Sequence, residues 1–336
     1  MLIKFFYNVD EERIREVLNS IRARFNLELM PLRGEYEFIN DCNDMDIIGK
    51  ISEIDGVAEV REFSNMCYPL ASREYKSDDT IIDVDGVEIG GKKLVVMAGP
   101  CSIDTDDNAY ECAEKVQLAG ASVFRAGAFK PRTCPYSFQG VGSGGLDLLC
   151  DIGTTYQMPV ISEIVSVNDL DKFVDDVDII QVGARNMQNY ELLKALGEIN
   201  KPIMIKRGFG NTIEELLMSA EYILAGGNPD VILCERGIRV AENGSRSTLD
   251  LSAVVLLKSM THLPVLVDPS HGTGSAELVA PLSRASVAVG ADGLIIEVHP
   301  HKEMALSDRE QALTPCEFYD LMTSLERVAK AVDREI

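Results

Sequence analysis

No apolar run in this 336-residue chain reaches the roughly 18 consecutive residues that a membrane-spanning helix needs, which argues against an integral membrane protein. The N-terminal segment MLIKFFYNVDEER passes from a short apolar stretch into charge without a small-residue cleavage site. No signal peptide is therefore expected, and the expected location is the cytoplasm. Positive charge is also scarce: 32 lysines and arginines stand against 54 aspartates and glutamates, a formal charge of −22. That balance disfavours nucleic acid or an anionic membrane surface as a partner, and it makes any local cluster of cations informative. A disulfide framework is missing too. The eight cysteines are scattered from Cys42 to Cys316. In a reducing compartment most are expected to be small buried apolar residues, and a special one to be a metal ligand or nucleophile.

What is present divides in two. Residues 1–64 show an apolar stretch (Leu2–Val9), then an amphipathic segment from Asp10 to Phe25 with Ile14, Val17, Leu18 and Ile21 at helical spacing. Two strand-like runs come next, LELMPL and YEFIN, divided at Arg33-Gly34, then a short helix over Met45–Ile54 and the run VAEVREF. The order β-α-β-β-α-β is that of a ferredoxin-like α+β domain. Residues 65–93 are expected to form a linker and then a β-hairpin, TIIDVDGVEIGG, turning at Asp85-Gly86 and capping the larger region beyond it.

From residue 94 to 336 short apolar runs alternate with helix-compatible stretches: LVVMAGP, SVFRAGA, PVISEI, IIQVGA, PIMIKRG, VILCERG, PVLVDPSH and GLIIEVHP. Eight buried strands, each followed by a helix, predict a closed (β/α)8 barrel of the TIM type. An open doubly wound sheet is the alternative, but no G-x-G-x-x-G or Walker loop follows the first strand.

Every run ends in polar residues that a core has no use for. Arg125, Lys130 and Arg132 follow the second strand, Glu163 the third and Arg185 the fourth; Lys206 and Arg207 follow the fifth, Glu235 and Arg236 the sixth. Barrel enzymes carry their chemistry at this end. The seven cations are expected to converge on the barrel mouth and to bind small, multiply anionic, phosphorylated ligands, because guanidinium forks match phosphate and carboxylate oxygens. Neutralisation by nearby acids is the competing reading for any one of them. Cys101, His271, Glu297 and Asp308 offer a thiolate, an imidazole and two carboxylates that could hold one divalent metal. The set does not choose between manganese, iron, cobalt and zinc. Taken alone, Cys101 reads as a buried apolar residue. His262, preceding a strand, is expected to be structural.

The blocks AGPCSID, FRAGAFKPRTCPYSFQG, QVGARNMQNYELL, KPIMIKRGFGNTIEELLMSAEYI, VILCERGIR, LPVLVDPSH and EVHPHKEMALSD resemble 3-deoxy-D-arabino-heptulosonate 7-phosphate (DAHP) synthase, in its short form with an N-terminal ferredoxin-like domain. The similarity runs from about residue 65 to the C-terminus. The resemblance implies condensation of phosphoenolpyruvate with erythrose 4-phosphate, the step that opens aromatic amino-acid biosynthesis. It implies Cys101, His271, Glu297 and Asp308 as metal ligands. Phosphoenolpyruvate would be held by Arg125, Lys130, Arg185, Lys206 and Arg236. The segment Lys130-Pro131-Arg132-Thr133 would hold erythrose 4-phosphate. Lys130 is expected to move a proton or stabilise charge, with Glu163 and His271 the candidates for handling water. The resemblance further implies a homo-oligomer, a tetramer in many relatives, with feedback inhibition by tyrosine or phenylalanine through the N-terminal domain. No appended chorismate mutase helices are expected.

Some positions depart from the family pattern: Ala126-Gly127 replaces two glycines, Cys134 replaces serine, Val255 replaces proline, and the loop after His271 reads GTGSAEL where relatives are often basic. Two rival readings remain. One is 3-deoxy-octulosonate 8-phosphate synthase acting on arabinose 5-phosphate, whose sugar loop reads K-A-N-R-S-S in place of the K-P-R-T found here. The other is a catalytically silent metabolite-binding barrel.

Overall fold

The computed structural model describes all residues except 34, 35, 65, 66, 242 and 243, so Gly34 of the expected strand break lies outside the described residues. The chain divides into two compact units, Met1–Ser77 and Asp78–Ile336. Residues 67–77, read from sequence as part of a linker, fall within the first unit.

In the first unit, β1 (Leu2–Phe5), a helix (Glu11–Phe25), β2 (Met30–Arg33), β3 (Glu37–Ile39), a helix (Met45–Ser52) and β4 (Val57–Arg61) succeed one another. The sheet order is β2-β3-β1-β4, with β1 antiparallel to both of its neighbours. That is the βαββαβ arrangement expected. The first helix starts where the Asp10 carboxylate accepts from the Arg13 backbone N–H at 2.7 Å, with Glu11 and Glu12 on the positive end of the helix dipole. Its Ile14, Val17 and Ile21 are buried against Ile3, Phe5 and Phe38 of the sheet, and Leu18 packs partly buried beside them.

The second unit opens with a hairpin, β5 (Ile82–Val84) and β6 (Val87–Ile89), whose turn residues Asp85 and Gly86 have φ of 50° and 84°. Positive φ at both central positions is the turn geometry that Asp-Gly favours. Eight parallel strands then close a barrel: β7 (Val95–Gly99), β8 (Val123–Arg125), β9 (Val160–Ile164), β10 (Ile179–Val182), β11 (Ile203–Lys206), β12 (Val231–Glu235), β13 (Val265–Val267) and β14 (Gly293–Glu297). The circuit is completed by β14 pairing with β7. Ile82, Val84 and Ile89 of the hairpin share one buried cluster with Met97, Val123, Ile161, Met204, Ile232 and other barrel side chains. The hairpin is thus part of the barrel core, and each fully buried aliphatic chain there contributes roughly 1.5–3 kcal/mol.

His262 precedes β13, and its Nδ1 lies 2.8 Å from the Thr80 hydroxyl, consistent with the structural role expected of it. The cysteines divide differently from expectation. Cys101, Cys112 and Cys234 are buried, whereas Cys67, Cys134, Cys150 and Cys316 are exposed. No helix among the described residues is long and apolar enough to cross a membrane.

Candidate active site

Because all eight strands run parallel, the polar residues at their C-terminal ends come to one rim. There Cys101, from the loop after β7, meets His271, from the short helix Pro269–Thr273 after β13, together with Glu297, the last residue of β14, and Asp308 beyond it. One ligand atom from each lies within 4.8 Å of all the others. The Cys101 thiol donates to Asp308 Oδ2 at 3.1 Å, and His271 Nε2 is 3.2 Å from Glu297 Oε1 and 3.9 Å from Asp308 Oδ2. Metal–ligand bonds of about 2.0–2.3 Å place neighbouring donor atoms about 3–4.5 Å apart, so these donors fit one divalent ion with little movement. The mixed sulfur, nitrogen and oxygen set suits a borderline transition metal and does not select one.

The surroundings orient these donors. Asp268 accepts the His271 backbone N–H at 2.8 Å through Oδ1 and faces His271 Nδ1 at 2.8 Å through Oδ2. Were His271 to bind an ion, a proton kept on Nδ1 would leave the Nε2 lone pair for it. Burial alone would raise the Asp268 carboxyl, but the His271 and Lys206 charges override it and hold the group well below the usual carboxylate range. Glu297 behaves alike: burial opposes, yet His271 and Arg125 lower it. Asp308 is also lowered, against its burial, by His271 and by Arg246, whose guanidinium donates to Oδ1 at 2.8 Å. Burial is the main cause that pushes the Cys101 thiol up to about 12, with Glu297 adding to it.

Beside the cluster opens a cavity of about 470 Å³. Seven cations and two carboxylates, Glu163 and Asp308, line it. Lys130 Nζ donates to the Cys101 carbonyl at 3.0 Å, and burial, which would discharge it, is outweighed by the Cys101 thiol in its ionised form and by Glu163. Gly127 makes room for this side chain, since a Cβ there would sit 2.9 Å from both Lys130 Cδ and the Cys101 carbonyl. Glu163 accepts from Gln181 at 3.3 Å and lies against Gly183, where any Cβ would collide with its carboxylate at 1.9 Å. Pro131, Arg132 and Thr133 form the cavity wall after β8, with Cys134 next to them. Lys206 reaches Asp268, and Arg236 donates to the His271 carbonyl at 2.9 Å. Among the described residues no carboxylate pairs with Arg132, Arg185, Arg236 or Arg239.

Two of the predicted mouth cations lie elsewhere. Arg207 turns away from the cavity, pairing with Glu235 at 2.9 Å and Asp250 at 3.1 Å, because consecutive strand residues point to opposite sides. Arg125 does not line the cavity. Its buried guanidinium donates to the Pro100 carbonyl at 2.9 Å and to Glu297 at 3.0 Å, behind the ligand set.

Residues 76–334 match the DAHP synthetase I family. The chain belongs to this family. It is 45% identical over 325 residues to the phospho-2-dehydro-3-deoxyheptonate aldolase of Thermotoga maritima, covering 96% of each chain. The crystal structure of the T. maritima DAHP synthase superimposes with a TM-score of 0.80 at 43% identity, over 99% of this chain and 98% of that one. A truncated form of the T. maritima synthase gives 0.75 at 45% identity and covers 80% of this chain and 99% of its own. A more distant relative, the 2-dehydro-3-deoxyphosphooctonate aldolase of Desulfotalea psychrophila, is 30% identical over 283 residues and covers 79% of this chain and 98% of its own.

For a DAHP synthetase I family member, the sequence reading missed several groups that touch the site. Asp268 closes the seventh apolar run, and its bond to His271 three residues on follows the i,i+3 spacing of a helix start. Gln311, fully buried and donating to Glu297 Oε2, carried no signal. Arg239 and Arg246 lie in segments whose approach to the cavity depends on loop paths.

Proposed function

We infer that this chain is a DAHP synthase that joins phosphoenolpyruvate, erythrose 4-phosphate and water into DAHP and inorganic phosphate. The observation that carries the reading is the abutment of a four-donor metal cluster on a cavity with seven cations and two carboxylates. Two phosphorylated substrates, one also a carboxylate, are the cargo that such a charge excess suits.

Cys101, His271, Glu297 and Asp308 would hold one divalent ion, whose identity among manganese, iron, cobalt and zinc is left open by the donors. When bound, the ion supplies Lewis-acid polarisation of a carbonyl oxygen. The chain does the rest. Lys206, Arg185 and Arg236 fix the phosphate and carboxylate of phosphoenolpyruvate, and Arg132 with Thr133 and Pro131 fixes the sugar phosphate, so that C3 of the enol faces the aldehyde carbon. Arg125 completes this set by holding Glu297 and the Pro100 carbonyl in place. As the new C–C bond forms, Lys130, kept charged beside Cys101 and Glu163, supplies a proton to the developing alkoxide. Water then adds at C2, with Glu163 accepting its proton, because His271 would have Nε2 on the ion and Nδ1 on Asp268, and phosphate departs to leave the keto acid.

The N-terminal unit carries no cluster of catalytic residue types, and its ferredoxin-like fold is assigned to feedback control by tyrosine or phenylalanine in a homotetramer of the cytoplasm. The domain reading is 1–64 regulatory, 65–93 linker and barrel-capping hairpin, and 94–336 catalytic.

The test is phosphate release from phosphoenolpyruvate with erythrose 4-phosphate or arabinose 5-phosphate, with and without chelator. Release with the four-carbon sugar alone, abolished by chelator and restored by manganese, is expected. Release with arabinose 5-phosphate would move the chain to the octulosonate reaction, and silence with both sugars would leave a binding barrel.

A further inference from the structure

Phe209 stands in the wall of the cavity, half-buried between Gly208 and Gly210 and outside the barrel core cluster. Three guanidinium carbons approach its ring centroid: Arg236 at 4.8 Å, Arg239 at 4.8 Å and Arg185 at 5.3 Å. Each distance is inside the range over which a ring face attracts a cation. The three come from two segments, Arg185 after β10 and the other two after β12, and Phe209 itself comes after β11. The backbone locks this meeting point, since the Arg239 N–H donates to the Phe209 carbonyl at 2.7 Å.

Like charges gathered on one ring repel each other, and among the described residues no carboxylate pairs with any of the three. Among the described residues Arg236 donates to neutral acceptors: the Gly237 carbonyl, the Ser247 hydroxyl and the His271 carbonyl. Arg185 and Arg239 are exposed to the cavity. A neutral ring that draws three unpaired guanidiniums together, without consuming their N–H donors, leaves those donors to be satisfied by an incoming group. The group that matches is a phosphate monoester dianion, which offers several acceptor oxygens and two charges. Arg236 fixes which phosphate this is. Its bond to the His271 carbonyl ties the cradle to the donor cluster, and Arg185 and Arg236 are the two guanidiniums already assigned to phosphoenolpyruvate.

We propose that Phe209 is a positioning residue that aligns Arg185, Arg236 and Arg239 into a phosphate cradle, and that Arg239 is a further binding residue for the phosphate of phosphoenolpyruvate. This rests on the DAHP synthase reading of the substrates, and it adds a residue and a device that the motif blocks did not assign.

The experiment is equilibrium titration of the full-length chain with phosphoenolpyruvate and, separately, with inorganic phosphate, alongside steady-state kinetics. Arg239→Gln is expected to weaken binding of both ligands about tenfold, the worth of one lost charge-assisted contact, and to raise KM for phosphoenolpyruvate while KM for erythrose 4-phosphate stays put. Phe209→Leu is expected to do the same through KM rather than kcat, and Phe209→Tyr to restore the wild-type value because the ring is kept. A rise confined to KM for erythrose 4-phosphate in Arg239→Gln would overturn the assignment. Equal affinities in Phe209→Leu and Phe209→Tyr would show the ring to be packing only. A wild-type chain inactive with both sugars would sink the substrate reading, yet the phosphate titration would still decide the cradle: a drop in both variants upholds it and unchanged affinity refutes it. Should Phe209→Leu fail to fold, the Arg239→Gln titrations decide alone.

Discussion

At the residue scale, a metal held as proposed by Cys101, His271, Glu297 and Asp308 would load with the release of a proton. Burial and Glu297 hold the thiol at about 12, so near neutrality it carries its proton and donates it to Asp308. A metal binds the thiolate, and the proton must leave. Below about 12, each unit rise in pH therefore strengthens apparent metal affinity by up to tenfold. Calorimetric titration of the chelated, metal-free chain with manganese, in buffers of different ionisation enthalpy, should report about one proton released per ion. A pH-independent affinity with no proton release would remove Cys101 from the ligand set. Neighbouring residues also show how little separates function from support at this scale. Lys206 and Arg207 are consecutive, yet one lines the cavity and the other is spent on Glu235 and Asp250. Both are basic strand-end residues in sequence, and only the strand's alternation sorts them.

At the scale of elements, the strands were legible because parallel strands buried on both faces are written as continuous apolar runs. Each of the eight runs became one strand of the closed barrel, from Val95–Gly99 to Gly293–Glu297. The hairpin was legible from Asp85-Gly86, where positive φ at both turn residues is needed. What it does was less open to reading: Ile82, Val84 and Ile89 are core residues of the barrel. Replacing the fully buried Ile89 with alanine should cost about 2–5 kcal/mol of stability, read as a lower denaturant midpoint, with kcat unchanged because the hairpin does not line the cavity. A loss under about 1 kcal/mol would mean that the hairpin packs loosely and is not part of the core. Loop paths were beyond the sequence. Arg239 and Arg246 reach the cavity through turns whose course is set by contacts such as the Arg246 N–H to the Thr273 carbonyl at 3.0 Å.

At the scale of the whole molecule, the chain consists of two compact units, and the metal cluster and cation-lined cavity both lie within Asp78–Ile336. The T. maritima synthase has a solved truncated form that covers 80% of this chain. A chain starting at Asp78 is expected to keep the condensation of phosphoenolpyruvate with erythrose 4-phosphate and to lose any inhibition by tyrosine or phenylalanine. Inhibition that survives removal of the first unit, measured by the same phosphate-release assay, would place the effector site on the barrel.

The sequence by itself determined the fold class and pointed to the end of the barrel that gathers polar residues, while the four proposed metal donors followed from the family resemblance and only the fold brings them within 4.8 Å of one another. The first two rest on local rules: apolar periodicity makes the strands, and parallel connection puts their polar ends together. Tertiary structure alone decided which charges cancel. Arg125, Arg207 and Lys206 read alike as strand-end cations, but whether each meets a carboxylate or an open cavity depends on residues tens to more than a hundred positions away. Glu297 takes the first, Glu235 and Asp250 the second, and Asp268 the third. Ion pairing falls off over a few ångströms, so it is a property of the folded neighbourhood and is not written in the order of the chain.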